Sequence, residues 1–295
     1  MDRYHSEPKV KPIMAYLKES VKFYELDKPM AARIIFLLEL AIIFGGYLLA
    51  MPHTLNLFKY LEQISNQLQG QLTVENLMTL TSSEIYFNLV NSLFMVLLIY
   101  AVIRSIAFII SLFFGAFYFF GLTNPEMSGA ARITLFLSRL PKLILFNILF
   151  YIAFYIGMFV LVLIIGIIIM IIPFLSFATF LLLLLLLALN ALFVFKDLLI
   201  IEYDIGVFKN FRKSLDLTQN NRKNIIVNMM WPLAIGWLLN AFAMDVNNAV
   251  LSIFISAFLE VIILLVTQRL SVLMFIDAAS LERKNKKGRS VNTTA

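Results

Sequence analysis

Apolar residues gather into six long runs, at about 34–51, 85–120, 143–172, 174–195, 225–243 and 249–268, with short polar stretches between them. Such continuous apolarity is neither the alternation of a half-buried strand nor the single stripe of a soluble helix. A helix needs roughly 20 apolar residues to cross the hydrocarbon core of a bilayer. The pattern therefore predicts an all-α, polytopic membrane helix bundle with six spans over 34–268. The run at 34–51 follows a charged segment, and no small-residue cleavage site comes after it, so it is expected to remain as a span.

Two runs exceed what crossing requires. A helix over 85–120 is about 54 Å long, against a core of about 30 Å. No turn residue breaks it near Arg104. It is expected as one long helix, tilted or projecting, or as a span followed by an interfacial stretch at "SIAFIISLFFGAFYFFG". The run at 143–172 is about 45 Å by the same rise and ends at Pro173, a suitable place for a tight external turn.

Charge sets the orientation. Lys and Arg number seven in 1–33, one in 52–84, three in 121–142, six in 196–224, none in 244–248 and six in 269–295, with Arg104 inside a run. High and low counts alternate, so the positive-inside bias places both termini in the cytoplasm. Residues 1–33 become a cytoplasmic arm, 52–84 an external loop and 269–295 a basic tail. Abundant Ile, Lys and Asn suggest a low-GC bacterial source, and hence the plasma membrane.

Composition narrows the chemistry. Only 14% of residues are charged and 61% are hydrophobic, with a mean hydropathy of +0.89, where a soluble protein carries roughly 25% charged residues. There is no cysteine, which excludes disulfides, thiolate metal sites and cysteine nucleophiles. His5 and His53 are the only histidines, too few for a multi-histidine metal site. No phosphate-binding loop, dinucleotide fingerprint or nucleophile elbow occurs. The expectation is a protein without catalytic site, metal or cofactor. No nucleic-acid role is expected either, since topology already accounts for the basic residues.

Three flanking pieces have helical spacing. In the arm, Ile13, Leu17, Val21 and Tyr24 share a face; in the external loop, Leu57, Leu61, Ile64 and Leu68 do so. Over about 206–222, Val207, Phe208, Phe211, Leu215 and Thr218 share one, with Lys209, Arg212, Lys213, Asp216 and Arg222 off it. Such helices rest apolar side down in the headgroup layer with their cations toward anionic lipid, or else pack on the ends of the protein itself. Lys209, Arg212, Lys213 and Arg222 are the candidate headgroup contacts.

Within that third piece stands "FRKSLDLTQNN". Ser214 and Thr218 lie four apart, so their hydroxyls can bond to the preceding turn, and Asn220 and Asn221 suit a helix stop and restart. Arg212, Lys213, Ser214, Leu217, Thr218, Asn220 and Asn221 resemble a motif in the membrane domain of bacterial glycerophosphodiester phosphodiesterases and related multi-pass proteins. Asn210 and Phe211 depart from it, where those proteins carry alanine and an aliphatic. The lead-in "FVFKDLLIIEYDIG" is also similar, with a glycine opening the helix. The resemblance covers about residues 140–270. It implies a helical membrane domain and no phosphodiesterase activity, because the catalytic part of those enzymes is a separate soluble barrel.

Three ionisable residues fall inside the runs: Glu39, Arg104 and Glu260. In hydrocarbon each costs on the order of 3 kcal/mol or more, so each is expected to face the bundle interior or water. Glu39 lies about 9 Å along its helix from Arg33, and Glu260 about 13 Å from Arg269. Arg104 is expected to pair with Glu39, Glu260 or both, as a structural ion pair or as a proton- or substrate-coupled site. Asn228, Pro232, Gly236 and Asn240 recur every four residues along the fifth run, and Ser252, Ser256 and Glu260 along the sixth. Such rows let membrane helices approach closely. Pro232 frees the carbonyl of Asn228, to which a protonated Glu260 could donate.

The leading functional expectation is a non-enzymatic, lipid-associated scaffold or partner-binding membrane protein, with room for a protein partner or a second copy. The alternative is a small permease or channel built on Glu39, Arg104 and Glu260.

Overall fold

A computed structural model describes residues 9–67, 83–171, 188–244 and 248–284. Their regular structure is helical: α1 (Met14–Val21), α2 (Pro29–Gln67), α3 (Glu84–Thr123), α4 (Gly129–Ile171), α5 (Lys196–Tyr203), α6 (Val207–Gln219), α7 (Arg222–Met244) and α8 (Ala249–Ala278). Helices α2, α3, α4, α7 and α8 are each long and apolar enough to cross a membrane. The protein is therefore membrane-embedded and multi-pass. Most of the expected span at 174–195, and the turn at Pro173, lie outside the described residues.

Two boundaries differ from expectation. Helix α2 runs through Pro52, so the segment from Leu57 to Ile64 continues the first span instead of forming a separate surface helix. Leu68 lies outside the described residues. Helix α4 begins at Gly129, where the Ser128 hydroxyl accepts the Ala131 N–H at 3.2 Å, and it continues through Pro141. That serine is a helix-start signal the apolar run concealed. Membrane helices tolerate an internal proline when nearby groups satisfy the freed carbonyl. The run at 85–120 is one continuous helix.

The chain forms two compact units. The first comprises Met1–Ala32, Leu112–Ile235 and Ile263–Ala295; the second comprises Arg33–Ser111 and Gly236–Ile262. Among the described residues, every Lys and Arg except Arg33, Lys59 and Arg104 belongs to the first unit. Contacts join its basic segments. The Lys284 N–H donates to Leu122 O at 2.9 Å, Arg132 pairs with Asp27 at 2.8 Å, and Lys142 pairs with Asp204 at 2.6 Å. The ends grouped by the charge count therefore meet.

The first unit carries the aromatic core. Phe114, Phe119, Phe120, Phe195 and Phe275 are buried, and the ring of Phe275 lies 5.7 Å from both Phe119 and Phe195. Much of the stretch considered as interfacial, from Phe114 to Phe120, is thus core. Helix α5 ends where Asp204 turns left-handed (φ 49°) and donates its N–H to Ile200 O. Asp204 then accepts from Arg139 and Lys142. Gly206 opens α6 in extended conformation.

The arm is held by its backbone. Asn221 accepts the Val10 N–H at 2.9 Å, Asn224 donates to Val10 O at 2.6 Å, and Asn228 donates to Lys11 O at 3.0 Å. These asparagines sit at successive turns near the start of α7, so one helix face binds the backbone of the arm. Arg269, almost fully buried, donates to the carbonyls of Lys22 and Glu25 and to the Tyr118 hydroxyl. Tyr16 donates to Asp277 at 2.7 Å. The buried residues of α1 are Tyr16 and Ser20, so the arm docks by that edge. Of the predicted face, Val21 and Tyr24 stay exposed and Ile13 and Leu17 half-buried.

Removing a buried hydrogen bond costs about 1–3 kcal/mol. Asn228→Ala and Tyr16→Phe are therefore expected to loosen the arm, read as faster tryptic cleavage at Lys18 and Lys22 with the rest of the chain intact. Unchanged cleavage in both variants would show the arm is held elsewhere. Burial, reinforced by the Asp277 carboxylate, raises the Tyr16 phenol above its ordinary range. A raised folded-state value adds stability that is complete below the unfolded phenol value near 10 and declines as pH rises above it. Wild-type arm protection should decline above about pH 10, and Tyr16→Phe should remove Tyr16's part of that dependence.

Candidate functional site

Within the second unit, the ionisable residues of the spans resolve into two polar levels. At one, Arg104 of α3 forms an ion pair with Glu260 of α8. Tyr47 of α2 donates to the other Glu260 oxygen. The second guanidinium nitrogen of Arg104 donates to the Tyr47 hydroxyl at 3.2 Å. Tyr100 adds a ring 5.4 Å from that of Tyr47. Both Glu260 oxygens are thereby occupied.

At the other level stands Glu39, fully buried. Ser111 of α3 donates to its Oε1 at 2.7 Å, while Oε2 has no hydrogen-bond partner among the described residues. Glu39 therefore does not join Arg104. From Glu39 to Tyr47 is about 12 Å along α2, and from Arg104 to Ser111 about 10.5 Å along α3. The buried side chains of Ile43 on α2 and Ala107 on α3 occupy the turns between. Gly46 permits the approach of α2 to α3, since a β-carbon there would fall on the side chain of Ile103.

Glu260 is committed to Arg104 and Tyr47. Asn228 spends its amide on Lys11 O and the Met274 sulfur. Along α7, Asn228, Pro232 and Gly236 are buried and Asn240 half-buried, so that row is the inward face. Along α8, Ser252 and Ser256 are only half-buried, and the inward line is Ala257, Val261 and Leu265, one residue further on.

Helix α6 docks on the unit by a polar edge and leaves part of its apolar face outward. Its buried residues are Asn210, Ser214 and Thr218, a polar row at four-residue spacing. Asn210 donates to Lys196 O at 2.7 Å, and Thr218 donates within its own helix to Ser214 O. Phe211 joins Phe146, Phe150 and Phe193 in an aromatic cluster. Asn210 and Phe211 thus both help dock α6. Phe208 is 90% exposed and Leu215 is exposed as well, beside exposed Lys209, Arg212 and Arg222. Lys213 folds back over the Tyr203 ring at 3.2 Å. Burial and the nearby Lys209 charge lower its ammonium from the ordinary value.

Tyr47 and Ser111 were absent from the residues singled out by sequence. Each lies on the helical face of one that was: Tyr47 with Glu39, and Ser111 with Arg104. That spacing was the available signal. Comparison with family models, curated proteins and solved structures finds no match. Function must therefore be argued from the residues alone.

An unpaired charge inside a span costs on the order of 3 kcal/mol. Glu260→Ala is expected to destabilise the detergent-solubilised protein by about that much, and Tyr47→Phe by about 1 kcal/mol. Reversing both charges, Arg104→Glu with Glu260→Arg, should recover most of the loss. Thermal unfolding of the four-member cycle measures the coupling; simple additivity would show that the two side chains do not depend on each other.

Proposed function

We propose that the chain is a non-enzymatic integral membrane protein of the bacterial plasma membrane, with both termini cytoplasmic, whose basic unit associates with anionic lipid headgroups. The observation that supports this most is Phe208, 90% exposed with Lys209 and Arg212 alongside. A phenylalanine left in water forgoes about 2 kcal/mol of burial, which the headgroup layer restores while the cations meet phosphate. Phe208 and Leu215 lie along one edge of α6, and Lys209 and Asp216 along the next. Met14, Val21 and Tyr24 of the arm are exposed in the same unit. Such a surface suits a lipid-associated scaffold that holds a partner or a second copy at the membrane. The likeness of "FRKSLDLTQNN" to the phosphodiesterase membrane domain is compatible with this role and forms part of the proposal.

The absence of cysteine makes site-directed spin labelling direct. Labels at Phe208→Cys and Leu215→Cys, in vesicles containing phosphatidylglycerol, are expected to be reached by oxygen from the lipid phase. Labels at Lys209→Cys and Asp216→Cys should favour a water-soluble nickel relaxant. Arg212→Gln should weaken the anionic-lipid dependence by about 1 kcal/mol. Equal aqueous access at all four sites would remove the headgroup reading. A permease role draws its support from Glu39, buried in a spanning helix without a counter-charge.

A further inference from the structure

Glu39 differs in kind from Glu260. Glu260 has a guanidinium and a phenol hydroxyl on its two oxygens. Glu39 has full burial, one hydroxyl donor on Oε1, and nothing on Oε2 among the described residues. A carboxylate so placed would keep a whole negative charge out of water with a single neutral hydrogen bond. The cost of that arrangement is large enough that a buried carboxyl ordinarily takes up a proton instead. The charged groups of the unit offer no relief. Arg104 and Glu260 are tied to each other about two turns away along the helices, past Ile43 and Ala107. Arg33 lies about 9 Å along α2.

We propose that Glu39 and Ser111 form a proton-binding site within the spans. The ligand is a proton carried on Oε2, and Ser111 donates to the carbonyl oxygen Oε1, fixing which oxygen holds it. The site is separate from the Arg104–Glu260 ion pair and does not rest on the lipid-headgroup reading. Uptake places one proton on Oε2 and cancels one buried charge; release restores the charge, with the Ser111 hydroxyl as its remaining donor. Ser111 is a positioning residue, since it acts through the carboxyl.

Infrared spectroscopy of the full chain in lipid vesicles tests this directly, because a carboxylic acid has a C=O stretch that a carboxylate lacks. Wild type is expected to show an acid band at neutral pH that shifts on exchange into D2O and is lost as pH is raised. Glu39→Gln should lose that band. Ser111→Ala should keep it but move it to higher frequency, as a carbonyl freed of its donor does. This second variant leaves Glu39 in place and gives an answer even if Glu39→Gln does not fold. Arg104→Gln should leave the Glu39 band unmoved and add one from Glu260. Identical acid-region spectra for wild type and Glu39→Gln would overturn the proposal, and so would an unshifted band in Ser111→Ala.

Discussion

The arrangement of the basic unit depends on one buried cation. Arg269 gives its guanidinium to two main-chain carbonyls of the arm, at Lys22 and Glu25, and to the hydroxyl of Tyr118, whose ring it also overlies at 4.2 Å. It thereby joins α8, the arm and α3. Main-chain carbonyls removed from water must find donors, and an irregular segment beside a membrane span cannot supply them itself. A guanidinium offers several donors in a fixed plane and keeps its charge when buried. The asparagines of α7 do the same for Val10 and Lys11. The arm is thus held through its backbone as much as through its side chains.

That mode of attachment explains how α1 and α6 are turned. The apolar-face rule assumes that a helix packs its greasy side on an apolar core. Here the docking partners are carbonyls and hydroxyls: Lys196 O for Asn210, and the Asp277 carboxylate for Tyr16. Each helix therefore turns polar atoms inward and leaves Met14 and Val21, or Phe208 and Leu215, outside. In water such an inversion would be costly. At a membrane surface the outward apolar residues have a second apolar phase available, which is what makes the headgroup proposal physically coherent.

The sequence was informative where one physical term dominates. Apolar length picked out the five described helices long enough to cross a membrane, and charge alternation grouped the ends that the first unit brings together. Burial of ionisable groups singled out Glu39, Arg104 and Glu260, and two of these meet. What escaped were choices between near-equal alternatives. Arg132 and Arg269 were counted as topological charges, yet both are buried and bonded. A cation near a span end serves as a solvated anchor or an internal clamp at similar composition, and only its partner decides. Pro52 opens the stretch expected as an external loop, yet helices packed in a membrane protein absorb proline, and α2 runs through it as α4 runs through Pro141. Tyr47 and Ser111 were missed because a hydroxyl in a span is unremarkable until a carboxyl is placed beside it.

The two polar levels show two solutions to one problem. An acid inside a span is tolerated by bringing it a counter-charge or by cancelling its charge with a proton. Glu260 follows the first course, using a guanidinium from α3 and a phenol from α2 to join three helices. The side chain of Arg104 is nonetheless 53% exposed, so this pair faces the surroundings of the unit while Glu39 is sealed within it. An ion pair with both carboxylate oxygens bonded suits the role of a fastener, because its partners come from two other helices. A sealed, singly bonded acid differs: its one bond reaches a single hydroxyl, and it contributes little to joining helices. The apolar turns of Ile43 and Ala107 keep these roles apart, because a guanidinium one turn nearer would make Glu39 a second fastener.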